Sequence, residues 1–277
     1  MPINYLKQIQ LGKFNAGGFR ISPSKALDAI IEGFYVFSRE PKDNSQLIFN
    51  DGFPVLVFLQ NCDDIVEVTG YTAPYKVKAA WASAGSIKNV YVNYNNTTDE
   101  IFIVRFHPGA FYKLFGLAAP YFRNLPIAPF EAIARDNQFD LKRFFKLDSI
   151  TDKIDLVETY VQKSFKEVAA PEVLAKSLKY IHSNRGNVSV RNVSDDTGVN
   201  YKWLERTFTK NIGLLPKEYI QLQRFINAYQ ELLGTADVDL MRIAITNGYY
   251  DANHFLKDFK GYTGKTPSAY LKLQKDF

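Results

Sequence analysis

The chain changes its pattern of apolar and polar positions near residue 110. Before that point, short runs rich in Val, Ile, Phe and Tyr occur at 33–37, 46–49, 55–59, 65–68, 90–93 and 101–106. Asn50-Asp51-Gly52, Asn61-Cys62-Asp63-Asp64 and Asn95-Asn96 separate several of them. Short runs at this spacing, broken by turn formers, predict an antiparallel sandwich or barrel. A helix over roughly 25–31, begun at Ser22 or Ser24, is expected ahead of them. From Gly109 the spacing turns helical, with short helices expected over 110–115, 130–134 and 141–145. Ile150, Ile154, Val157, Val161 and Phe165 then fall on one helical face, with Lys, Asp and Glu on the other. Ala169-Ala170-Pro171 reads as a linker, and 173–183 opens a helical region that runs to the end. The expected class is α+β: a β-rich, cupin-like sandwich or barrel over 1–168, then an all-α domain over 172–277.

The helical region contains one unit twice. Phe208, Gly213, Pro216 and Tyr219 recur as Phe259, Gly264, Pro267 and Tyr270, each 51 positions later. Leu204 matches Phe255 and Arg206 matches Lys257 at the same offset. Polar helix-start residues, Asn200 and Asp251, precede each copy, and glycine turns, Gly198 and Gly248, precede those. The two glycines are 50 apart, so the second turn carries one extra residue. Helix, glycine turn, helix is the helix-turn-helix device that reads DNA. Two copies are too few for a solenoid.

The second helix of each unit has a distinct outer face. Asn200 is placed to cap the first by accepting backbone N–H bonds. Leu204 and Phe208 lie on one side at 100° per residue, and Lys202, Arg206 and Thr209 on roughly the opposite side, flanked by Trp203 and Glu205. In the second copy Asp251 caps, Phe255 and Phe259 face in, and Asn253, Lys257 and Lys260 face out, with His254 in the place of Trp203. Arg matches the O6/N7 edge of guanine in a bidentate way, and Asn matches adenine at N6/N7. A basic outer face alone is usually only solvated. The duplicated turn, cap and Gly-Pro-Tyr tail are what favour DNA reading.

Charge and composition refine this picture. The net charge of +5 is uneven: residues 171–277 carry 15 Lys and Arg against 11 Asp and Glu, while 1–170 carry 19 against 18. The basic excess lies with the repeated helices and permits nucleic-acid binding. A hydrophobic content of 46% with 23% charge excludes a disordered chain and is enough for two cores. The one cysteine, Cys62, excludes an intramolecular disulfide framework and agrees with a reducing cytosol. The N-terminal stretch MPINYLKQIQLGKF lacks the apolar run of a signal peptide. The longest apolar stretch, 53–59, contains Pro54 and is too short to span a bilayer.

The segment from about Pro171 to Phe277 resembles the DNA-binding domain of AraC/XylS-type transcription regulators. Ile243-Ala244, Gly248-Tyr249-Tyr250-Asp251, Asn253-His254-Phe255, Phe259-Lys260, Thr263-Gly264-Lys265-Thr266-Pro267 and Tyr270 carry the resemblance. Gly198, Leu204-Glu205-Arg206, Phe208, Gly213 and Pro216 extend it to the first copy. Ser194 departs from the small Ala usual in that turn. The resemblance implies seven helices in two subdomains joined by a long helix, here about 216–233, with both recognition helices in successive major grooves. It places Lys202, Arg206, Asn253 and Lys257 at base-contact positions. Residues 104–111 and Asn50-Asp51-Gly52 resemble landmarks of one N-terminal type of such regulators, which senses a ligand or mediates oligomerisation.

The expected function is a bacterial, cytoplasmic, sequence-specific DNA-binding transcription regulator with no enzymatic activity and no cofactor. Double-stranded DNA is the expected partner; a small-molecule effector, a second copy of the chain and RNA polymerase are further candidates. The rival reading is a β-rich ligand-binding or enzymatic protein whose helical tail is an interaction module. His107, His182 and His254 lack the paired spacing of a metal-bearing cupin. A Cys62–His107 pair is the one nucleophilic combination on offer, and Gly17-Gly18 lacks the spacing of a phosphate loop. Tyr71, Tyr75, Trp81, Tyr91 and Tyr94 among the strands are candidates to line a ligand concavity, or simply core. The amphipathic stripe over 150–165 packs either on its own sheet or against a second subunit.

Overall fold

A computed structural model describes residues 18–38, 45–48, 50–70, 73–94, 100–123, 125–134, 139–165, 172–235 and 238–275. The linker at 169–171, the Asn95-Asn96 turn, Tyr71 and the N-terminal stretch lie outside the described residues. Ten strands are described: β1 (Gly18–Ile21), β2 (Ile31–Ser38), β3 (Ser45–Ile48), β4 (Val55–Leu59), β5 (Ile65–Thr69), β6 (Tyr75–Lys78), β7 (Ala80–Ser83), β8 (Val90–Tyr94), β9 (Glu100–Phe106) and β10 (Ile127–Pro129). They form a six-stranded sheet, β1-β2-β9-β4-β7-β10, and a four-stranded sheet, β3-β8-β5-β6. Every pairing is antiparallel. The chain crosses between sheets at Ala79, and the Tyr75 hydroxyl donates to the Ile127 carbonyl at 3.0 Å, tying the two sheets along that edge.

The central strands of the larger sheet are buried on both faces. Tyr35, Val57, Trp81 and Ile103 pack toward the smaller sheet with Val66 and Val92. Phe34, Phe58, Ala82 and Val104 point the other way, onto helices. Side chains alternate across a strand, so two covered faces need an unbroken apolar run, and all of Val55–Leu59 is buried. The covering helices are α1 (Ala110–Leu114), α2 (Phe130–Ile133), α3 (Leu141–Lys146) and α4 (Ile150–Ser164), with a 3-10 turn at Ala119–Phe122. Phe58 and Phe144 lie 4.3 Å apart between ring centroids, and Phe139 meets Tyr160 edge-on at 5.3 Å. Val157 is 1% exposed, and Ile154, Tyr160 and Val161 are buried beside it. The apolar stripe of α4 is therefore filled by its own domain and is not open to a second subunit.

The early helix expected over 25–31 is a run of hydrogen-bonded turns. Leu27 N donates to Ser24 O at 2.9 Å and Ile31 N to Leu27 O at 2.8 Å before Ile31 enters β2 opposite Phe106. So short a segment cannot offset helix nucleation, and the β-branched Ile30-Ile31 pair favours the strand.

Among the described residues seven helices follow: α5 (Glu172–Ser183), α6 (Val190–Thr197), α7 (Tyr201–Ile212), α8 (Pro216–Gly234), α9 (Leu240–Thr246), α10 (Ala252–Thr263) and α11 (Pro267–Lys275). The repeated residues have one physical role in both copies. Gly213 and Gly264 end α7 and α10 in the left-handed region, at φ 78° and 72°. Pro216 and Pro267 open the next helix, where a missing N–H costs nothing. Tyr219 and Tyr270 fold back onto Phe208 and Phe259, edge-on at 5.8 and 5.6 Å. The 19 residues of α8 span about 28 Å. The apolar core runs from the sandwich into this region without a break.

Candidate nucleic-acid interface

Each unit presents its second helix through a polar cap and two buried anchors. Asn200 Oδ1 accepts from Trp203 N at 2.9 Å, and Asp251 Oδ1 from His254 N at 2.8 Å. Each satisfies one of the orphan N–H groups at its helix start. Leu204, Phe208, Phe255 and Phe259 are all fully buried. With that face fixed inward, the outer faces follow from helical geometry. Lys202 and Arg206, one turn apart on α7, are exposed; Thr209 is half-buried at the edge of that face. Asn253, His254, Lys257 and Lys260 are all exposed on α10. Trp203 is half-buried and packs on the core, so only part of its ring faces outward.

The two turns differ as the one-residue insertion requires. Gly198 caps α6 at φ 70°. In the second turn Asn247 follows α9, its side-chain amide donating to Glu231 Oε2 at 2.7 Å and to Ile243 O at 2.8 Å. Gly248, at φ 76°, faces Asn187 so closely that a Cβ would lie 2.2 Å from its Oδ1. Ser194, the departure in the first turn, turns its hydroxyl to the Val199 carbonyl and is accommodated.

Sequence reasoning missed two features. Lys210 is exposed near the end of α7, beyond the face first assigned. A cleft of about 530 Å³ runs beside α10, lined by Gln221, Arg224, Gly248, Tyr249, Tyr250, His254, Lys257 and Asp258. Tyr250 is 85% exposed there, and Arg224 reaches from α8 to lie 5.6 Å from the Tyr249 ring centroid. Burial raises the Asp258 carboxyl, against the lowering effect of its bond from Tyr249 and of Lys88 and Arg224 nearby. No local pattern foretells the cleft, because its walls come from α8 and from the second unit. Of the aromatic candidates, Trp81 and Tyr94 are core, Tyr75 ties the sheets, and Tyr91 donates to the Thr263 carbonyl. Cys62 is exposed in the turn after β4.

Residues 193–273 match the family described as a helix-turn-helix domain, and residues 19–127 match a domain of unknown function, DUF6597. The HTH-type transcriptional activator AarP of Providencia stuartii is 30% identical over 99 residues, which are 35% of this chain and 73% of that protein. The Msm operon regulatory protein of Streptococcus mutans is 34% identical over 95 residues; the match spans 34% of this chain and about a third (34%) of that protein's length. Among solved structures, ToxT from Vibrio cholerae O395 covers 92% of this chain at 14% identity, with a TM-score of 0.45. The duplicated units, their shared cap and tail geometry, the helix-turn-helix match and the likeness to AarP lead to one conclusion: the chain belongs to the AraC/XylS family of helix-turn-helix transcription regulators.

Proposed function

We propose that the chain binds double-stranded DNA in a sequence-specific way, with α7 and α10 entering successive major grooves on one face. One observation carries this reading. Two helices of 12 residues each, with matched caps and anchors, turn exposed polar and basic side chains outward at i and i+4. These are Lys202 with Arg206, and Asn253 with Lys257; Trp203, Thr209, His254 and Lys260 complete the proposed contact set. The span of α8, about 28 Å, suits grooves about 34 Å apart once the helix radii are added. The domain boundary is proposed between α4 and α5, giving 1–168 and 172–277.

We also propose that the N-terminal domain senses a small polar effector. Both atoms of the Gln46 side-chain amide, Trp81 Nε1 and Ser83 Oγ are buried with no hydrogen-bond partner among the described residues. Gln46 pairs with Val92 and Trp81 with Val57, on strands whose inner faces form the sandwich core. Each such group costs about 1–3 kcal/mol unless it is satisfied.

The test is binding of the full chain to DNA selected from a random pool, followed against salt. A specific site with a steep salt dependence is expected. Binding that is equal on all sequences, or indifferent to salt, overturns the reading.

A further inference from the structure

The N-terminal domain touches both reading helices at the same place. Asn211 near the end of α7 and Tyr262 near the end of α10 are equivalent residues, 51 positions apart. Gly109, at the start of α1, lies against Asn211, where a Cβ would come within 3.4 Å of the Asn211 Cβ. Asn89 N donates to the Tyr262 carbonyl at 2.6 Å, and the Tyr91 hydroxyl to the Thr263 carbonyl at 2.6 Å. These are two of the last four carbonyls of α10, which the helix itself leaves unpaired. The Lys88 ammonium stands 5.0 Å from the Tyr262 ring centroid, a cation at the negative end of the helix.

The contact is closely fitted. Asn89 adopts φ 53°, a left-handed conformation unusual for a residue with a side chain. A Cβ on Gly264 would lie 2.1 Å from Asn89 Oδ1, and one on Gly70 would lie 1.8 Å from Asn89 O. Two glycines thus make room for one wedge. The wedge is also anchored: along β8, Val90, Val92 and Tyr94 point into the sandwich core while Tyr91 points out to α10. The first unit is fixed to the same body. Gln223 Nε2 on α8 donates to the Asp51 carbonyl at 2.6 Å, and Arg105 holds the Asp51 carboxylate.

We propose that Lys88, Asn89 and Tyr91 are positioning residues that hold the second reading helix at a set distance and angle from the first. The N-terminal domain thereby selects the spacing of the two half-sites. This rests on the DNA reading above. A single helix such as α8 leaves bending free, and one base pair of DNA is only about 3.4 Å long. A second tie between the units is what makes spacing selective at that scale.

The test uses the full chain with the exposed Cys62 changed to Ser and spin labels at Lys202→Cys and Lys257→Cys, both exposed positions. Pulsed electron resonance should show one narrow distance distribution. Adding Lys88→Glu with Tyr91→Phe should broaden or shift it while circular dichroism stays unchanged; Tyr91→Phe alone serves if the pair impairs folding. An unchanged distribution in a folded variant overturns the proposal. In unlabelled protein, a one-base-pair insertion between half-sites should weaken wild-type binding by about 10-fold, and the variant by about 3-fold or less. Equal insertion penalties would also overturn it. A broadened distribution in a protein that binds no DNA would support the tie and defeat the DNA reading instead.

Discussion

The two helix-turn-helix units are built alike and held differently. Both use a 12-residue second helix, one polar cap, two buried anchors, a left-handed glycine and a tyrosine that folds back onto a phenylalanine. The first unit is embraced by the N-terminal domain. There α1 and the 3-10 turn pack on α7, Phe53 stacks on His182 at 6.3 Å, and Gly52 lies so close to Tyr219 that a Cβ would come within 2.3 Å of its ring. Among the described residues, the second unit meets that domain at Lys88, Asn89 and Tyr91, through hydrogen bonds to the end of α10, a close fit to Gly264 and a cation over the Tyr262 ring. The difference teaches that duplication preserved the unit while its surroundings gripped one copy broadly and tied the other at the end of its second helix.

Removing one anchor from each unit should break the symmetry most visibly. Phe208→Ala and Phe259→Ala each delete a fully buried ring and should cost about 3–5 kcal/mol. The cost should appear in different places. Loss of Phe208 should lower the urea midpoint of one common transition, because α1 and the 3-10 turn of the N-terminal domain pack directly on its helix. Loss of Phe259 should open the second unit first, with fast amide exchange in α10 while β2, β4 and β9 stay protected. Equal exchange in both regions for both variants would mean that the units are held alike.

Base reading sharpens the comparison at the next level. Arg206→Ala and Lys257→Ala should each weaken specific binding by roughly 1–3 kcal/mol and relax selectivity only in the half-site that helix reads. Wild-type affinity in both would show that other faces read the DNA. A variant that relaxed both half-sites together would show that the helices do not act separately.

What could be read in advance follows the same division. The repeat was legible because its residues act locally: a cap, a left-handed glycine, a proline at the first helical position and a ring packed a few residues away. The runs at 55–59 and 101–104 were legible because burial on both faces leaves unbroken apolar stretches. β7 was not, since Ala80-Trp81-Ala82-Ser83 has little intrinsic strand preference and is a strand because β4 and β10 flank it. β6 and β10 are short strands at the seam of the two sheets, where tertiary pairing decides. The role of Tyr91 was illegible too. Its hydroxyl meets Thr263 across 172 positions, and no local pattern carries that.

The caps should give a smaller, matched pair of effects. Asn200→Ala and Asp251→Ala each remove one side-chain acceptor from a helix start, costing about 0.5–2 kcal/mol. The helix of the first unit is packed by α1 and the 3-10 turn, so loss of its cap should register in thermal stability with little change in DNA affinity. In the second unit the same loss should also weaken DNA binding, because fraying of α10 moves Asn253 and His254. Urea melts and binding isotherms on both variants separate the two outcomes; equal effects on affinity would deny the difference in bracing.

The least disruptive probe of the comparison is pH. His182 belongs to the embrace of the first unit, with Nε2 2.6 Å from the Tyr219 hydroxyl and its ring on Phe53. Burial lowers its pKa from the ordinary 6.5; Asp51 pulls upward, and Arg105 adds to the lowering. His107, at the end of β9, is lowered by burial as well, with Glu32 opposing. A histidine held neutral in the fold binds its proton more readily once unfolded. The unfolded chain therefore takes up more protons between the lowered native value and 6.5, and stability falls as pH drops through that window. Above about pH 7 both states are neutral and stability should be flat in these groups. The carboxyl of Glu32 is shifted down despite its burial, by Arg105, Tyr35 and Arg20, and it adds its own loss only below 4.5. The expected result is a urea midpoint level above pH 7 that declines from about pH 6.5 to 5.5, by less than about 1.4 kcal/mol per histidine per pH unit. His182→Gln should remove part of that slope and leave the share of His107. If the slope is the same in the variant, His182 is not held neutral at the junction, and the embrace of the first unit is looser than its geometry indicates.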